Sequence, residues 1–62
     1  MKFTTKQLQE IFSVNERTGP RGAYEFFYGH KPATSNEGTT AVEDFIIAFY
    51  TQYNAYAGYS VF

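Results

Sequence analysis

The chain has no cysteine and no tryptophan, and only one histidine and one methionine. Without thiols it forms neither disulfides nor thiolate zinc sites. His30 alone does not make a ligand cluster, so no metal and no cofactor are expected. Charge is also missing over a long stretch: from Phe45 to Phe62 there is no Asp, Glu, Lys or Arg. All five bases (Lys2, Lys6, Arg17, Arg21, Lys31) fall earlier, interleaved with Glu10, Glu16 and Glu25. The formal net charge is −1, which provides no strong field to attract nucleic acid or an anionic membrane. Met1 to Lys6 lacks the apolar run of a signal peptide, and no Asn-x-Ser/Thr acceptor occurs. A cytoplasmic setting is the expectation. The uncharged stretch approaches the length of a membrane span. Thr51, Gln52, Asn54, Gly58, Ser60 and four tyrosines interrupt it, however, and no Lys or Arg flanks it. It reads as a helix of a globular domain, and a membrane is not the expected partner.

What the chain has in excess is aromatic rings: seven Phe and six Tyr in 62 residues. A chain of this length makes a single domain, 1–62, and buries a smaller share of its surface than a large domain does. Each ring can bury roughly 150–250 Å². The rings are therefore the expected source of stability.

Helical periodicity predicts a mainly α fold of three helices, at 5–14, 20–28 and 40–57. Thr4 and Gln7 have capping-box spacing, with Phe3 and Leu8 at the flanking staple positions. Leu8, Ile11 and Phe12 then share a face, and Thr18-Gly19-Pro20 breaks the pattern. In the middle segment, Pro20 suits an early helical position and Gly29 a C-terminal cap. Ala23, Phe26 and Phe27 would share the core face there, with Tyr24 meeting Tyr28 one turn on. The alternative is α+β, with strands at 24–28 and 59–62 forming a two-stranded ribbon. Residues 29–40 read as a loop rich in turn formers. The last helix is expected to start at Thr40, in a capping box with Glu43, with Glu43 and Asp44 in its first turn. Val42, Phe45, Ile46, Phe49, Tyr53 and Tyr56 fall on one broad face, and Gly58 is the expected stop.

Catalysis finds no support. Ser13, Ser35 and Ser60 have no context resembling a nucleophile elbow. Glu43 and Asp44 are adjacent, so a helix points them about 100° apart instead of at one shared proton. The Ser/Thr-rich loop lacks the Gly-Lys-Ser/Thr ending that cradles a nucleotide.

Residues 5–18 (Thr5-Lys6-Gln7-Leu8-Gln9-Glu10-Ile11-Phe12-Ser13-Val14-Asn15-Glu16-Arg17-Thr18) resemble the helix-turn-helix family of DNA readers. Leu8, Val14 and Thr18 stand at that family's aliphatic, Val and Thr positions. Gln9 and Ser13 depart from its small residue and turn glycine, and Gly19-Pro20 falls inside what would be the recognition helix. The resemblance implies nucleic-acid binding by a degenerate helix-turn-helix in residues 5–28. Lys6, Arg17, Arg21 and Lys31 are then the phosphate contacts.

The favoured expectation is a non-catalytic protein–protein interaction module that binds another protein or itself. Interface cores are rich in aromatics and poor in charge, as residues 45–62 are. Tyrosine is rigid and amphipathic, so it can be exposed before binding and buried afterwards. Tyr50, Tyr53, Tyr56 and Tyr59 exceed what two short partner elements need for a core. Ile47 falls roughly 150° from the centre of the core face. These five residues form the candidate contact patch.

Overall fold

Thr4 caps the first helix as its spacing with Gln7 requires. The Gln7 N–H donates to Thr4 Oγ1 at 3.1 Å, and the Thr4 N–H donates to Gln7 Oε1 at 2.9 Å. Two otherwise free backbone donors are satisfied reciprocally. In this computed structural model, which describes residues 2–58, the first helix (α1) is Thr5–Tyr28 and the second (α2) is Asn36–Tyr56. The two pack as a hairpin, and there is no strand among the described residues. The fold is mainly α, with two helices in place of the three expected. Residues 24–28 are helical, which overturns the ribbon alternative. Its other strand, 59–62, lies outside the described residues.

The third helix disappears because the expected helices at 5–14 and 20–28 are two arms of α1. Helical geometry continues past Val14 to Thr18, and only Gly19 leaves it, at φ 83 and ψ −179. That combination is open essentially to glycine alone. Pro20 follows with a φ already set for the first turn of a helical run, so no loop is needed. The bend is sharp. The rings of Phe3 and Phe27 lie 5.1 Å apart, whereas straight helix over the same positions would separate them by about 36 Å. Gly29 ends the element in left-handed geometry, its N–H donating to the Glu25 carbonyl at 2.8 Å.

The second correction concerns the start of α2. It begins at Asn36 after an extended Ser35, so the expected start at Thr40 and its capping box with Glu43 are not formed. Glu37 is the acid of the first turn, and Glu43 and Asp44 lie further along. The reason lies at Gly38, which is buried: a Cβ there would collide with the Ala33 carbonyl. Lacking one, the first turn of α2 lies directly on the preceding loop. Arg21 fastens α1 to that loop and to α2, donating from Nη1 to Ala33 O at 3.3 Å and from Nη2 to Thr39 Oγ1 at 3.2 Å. At the other end Gly58 adopts φ 84 and stops α2 as expected.

The core draws on both arms of α1 and on α2. Leu8, Ile11, Ala23, Phe45 and Phe49 are its buried centre, and Val42 is buried nearby. Phe3 packs edge-on against Phe45 and Phe49, both at 5.9 Å. This contact exists only because the bend brings the N-terminus back. Phe12, Tyr24, Phe27, Ile46, Tyr50 and Tyr53 form the half-buried surround. Phe26 is not in the core and is 49% exposed. Ala23, Tyr24 and Phe27 turn inward, and Phe26 falls about 110° from the middle of that arc.

Candidate functional site

The tyrosines of α2 join the helices to each other. Tyr53 stacks on Phe12, with ring centroids 4.6 Å apart and planes 4° from parallel. Asn15 Nδ2 donates to the Tyr50 hydroxyl at 2.7 Å, and Gln9 Nε2 donates to the Tyr56 hydroxyl at 2.7 Å. Tyr53 thus joins the helices through its ring face, and Tyr50 and Tyr56 through their hydroxyls. Of the tyrosines expected to form a contact patch, Tyr50 and Tyr53 are half-buried and Tyr56 remains 44% exposed. Tyr59 lies outside the described residues. The Asn15–Tyr50 bond leaves Asn15 Oδ1 buried without a partner. A cluster of rings continues around the loop end, where Tyr24 and Tyr28 lie 4.5 Å apart. Burial, and then the neighbouring Tyr24, hold the Tyr28 hydroxyl above its ordinary pKa.

Ile47 is different. It is 65% exposed and points away from α1. Asp44 and Thr51 precede and follow it at i−3 and i+4, and both are exposed. The Thr51 hydroxyl donates to the Ile47 carbonyl at 2.8 Å. Its polar group is therefore satisfied within the helix, and its methyl is free to face outward. The structure thus separates Ile47 from the tyrosines it was grouped with.

The outer side of α1 carries two open grooves. One, of about 430 Å³, is lined by Val14, Thr18, Gly22, Glu25, Phe26 and Gly29. The other, of about 260 Å³, is lined by Arg21, Gly22, Glu25, Lys31, Pro32 and Thr34. Gly22 and Glu25 line both, so the two are adjacent and together form a trough. A Cβ at position 22 would collide with the Thr18 side chain, and the glycine therefore deepens the floor. A third groove of about 360 Å³ lies between α1 and α2, lined by Pro20, Arg21, Thr39, Val42, Glu43 and Ile46.

Lys6, Arg17, Arg21 and Lys31, the bases assigned to nucleic acid, are all exposed. Arg21 and Lys31 share a groove, and two of the Arg21 nitrogens are committed, one to Ala33 in the loop and one to Thr39 in α2. His30 lies in the loop, its Nδ1 3.1 Å from the Lys31 carbonyl. Among the described residues no three His, Cys, Asp or Glu side chains are grouped to hold a metal ion. No helix among them is long and apolar enough to cross a membrane.

Phe26 was missed as a surface residue. Tyr24 carried the signal: an inward arc of Ala23, Tyr24 and Phe27 leaves Phe26 about 110° from its middle. Compared with protein families, curated proteins and solved structures, the chain has no match.

Proposed function

We propose that this chain is a non-catalytic protein–protein interaction module, a small regulator or an assembly component. One observation carries the reading: Ile47 stands exposed on a helix that bears no charge beyond Asp44, while the neighbouring rings are used inside the hairpin. A single exposed isoleucine is ordinary. Its setting beside Thr51, whose hydroxyl is turned into the helix, with no charged residue after Asp44 on α2, suits a surface that loses little on desolvation. The exposed apolar surface therefore falls in two separate places, Ile47 on α2 and Phe26 on α1. Tyr50 and Tyr53 become positioning residues.

Affinity capture from the source organism's lysate tests this. Wild-type bait is expected to retain a protein, another or itself, that an Ile47→Asp bait does not. Identical captures by the two baits would remove the basis for the proposal. Changing Tyr50 or Tyr53 would be a poor test, because it would loosen the hairpin as well.

A further inference from the structure

The grooves along the outer side of α1 and the outward row of α2 are complementary in charge, and each offers an exposed apolar side chain. We infer that the partner of each is a second copy of this chain: the Asp44–Ile47–Thr51 row of one copy seats in the α1 trough of the next. The inference rests on the interaction-module reading and names its partner.

The trough has two ends of different character. Val14, Thr18 and Phe26 line the apolar end. Arg21 and Lys31 stand at the other, with Glu25 between the ends. Two bases against one acid leave the basic end net positive. The row on α2 has the same polarity. Ile47 lies one helical turn from Asp44, about 5 Å along the axis, so an apolar and an acidic group are presented side by side. With Ile47 against Phe26 and Val14, Asp44 points toward Lys31 and Arg21. Arg21 is held by its bonds to Ala33 and Thr39 and is a fixed charge, whereas Lys31 adjusts. Asp44 facing Glu25 is the one like-charge approach, and the two bases outweigh it.

The threonines at the apolar contact, Thr51 on the row and Thr18 in the trough, bring no unsatisfied hydroxyl. Thr51 donates to Ile47 O, and Thr18 donates to Val14 O at 2.8 Å. A buried hydroxyl without a partner would otherwise oppose association. Beyond Asp44, α2 has no charged residue to be stranded over the apolar end. The match also accounts for both exposed apolar side chains, Phe26 and Ile47, that the hairpin leaves unused.

The trough and the row are different patches, so the contact is heterologous and propagates unless the rotation closes a ring. Standard stable interfaces take about 800 Å² from each partner, nearly a fifth of this chain's 4417 Å². One helix row in a trough covers less, so the association is weak and depends on concentration.

Sedimentation velocity on the full chain over a concentration series, at low salt, tests the inference. Wild type is expected to self-associate, and Ile47→Asp or Phe26→Ser to weaken association at least about tenfold. Both positions are exposed, and circular dichroism checks that the fold is kept. Lys31→Glu and Asp44→Lys chains should each associate several-fold less than wild type. Mixed together they should recover, because every contact between the two variants again pairs opposite charges. A wild type that stays monomeric at every concentration overturns the inference. So does association unchanged by Ile47→Asp and Phe26→Ser, or a mixture no stronger than its components. A monomeric wild type that still captures another protein in an Ile47-dependent way would defeat this inference alone. A monomer that captures nothing would defeat the interaction-module reading as well.

Discussion

Replacing Gly19 by alanine isolates the bend on which the core depends. At φ 83 and ψ −179 a residue with a Cβ is strained by about 1–3 kcal/mol. Nothing lies within 4 Å of an added Cβ, so collision contributes nothing and the loss is one of backbone conformation alone. Alanine also restricts the unfolded chain, an effect of about 0.4–1 kcal/mol where the native conformation suits it. Here it offsets part of the strain, and a net loss of about 1–2 kcal/mol is expected. For a domain of this size each kcal/mol moves Tm by about 4–8 °C, so Tm should fall by about 5–15 °C. Thermal and urea unfolding followed by far-UV and near-UV circular dichroism would measure it. Gly29→Ala is the internal comparison. That glycine also has positive φ and open space around it, but its ψ of 8 places it in the left-handed region other residues occasionally visit. It should lose less. A Gly19→Ala chain within about 2 °C of wild type, or one more stable than Gly29→Ala, would refute the bend as described.

Three further perturbations probe the hairpin. Tyr50→Phe should destabilise by about 1–3 kcal/mol, because it strips the acceptor from an Asn15 amide whose oxygen already lacks a partner. The Asn15→Leu/Tyr50→Phe double variant should recover most of that loss, and a chemical-denaturation double-mutant cycle decides it. Gly38→Ala should lose about 1–3 kcal/mol through the collision with the Ala33 carbonyl, with hydrogen exchange accelerated in the 29–40 region. The raised pKa of Tyr28 means the fold favours its neutral form. That contribution is complete below the ordinary tyrosine pKa of about 10 and is lost as pH rises through the folded value. The urea midpoint of wild type should therefore fall more on alkaline titration than that of Tyr28→Phe.

The ends of α1 were legible because local chemistry decides them: a capping box at Thr4 and Gln7, and a left-handed Gly29. The wheel also placed Ile47 correctly on the outside of α2. Two features were hidden. Gly38 looked like a loop former, yet it lies inside a helix and serves close packing on Ala33, a tertiary demand with no local signature. Gly19-Pro20 read as a helix break, but the sequence does not show that the chain reverses there without a loop. That reversal brings Phe3 against Phe27. Tyr50 and Tyr53 looked surplus against a first helix ended at Val14. Phe12 stacks on Tyr53, and the helix runs on past Val14 so that Asn15 meets Tyr50. Phe26, which pattern-reading assigned to the core, gives its place there to Tyr24.

If copies meet through the outward Ile47 row and the α1 trough while the tyrosines hold the hairpin, amide chemical shifts over a dilution series of the wild-type chain will report it. Concentration-dependent shifts are expected at Asp44, Ile47 and Thr51 and around Gly22, Phe26 and Lys31. Shifts confined to Tyr50, Tyr53 and Tyr56, or none at any concentration, would contradict it.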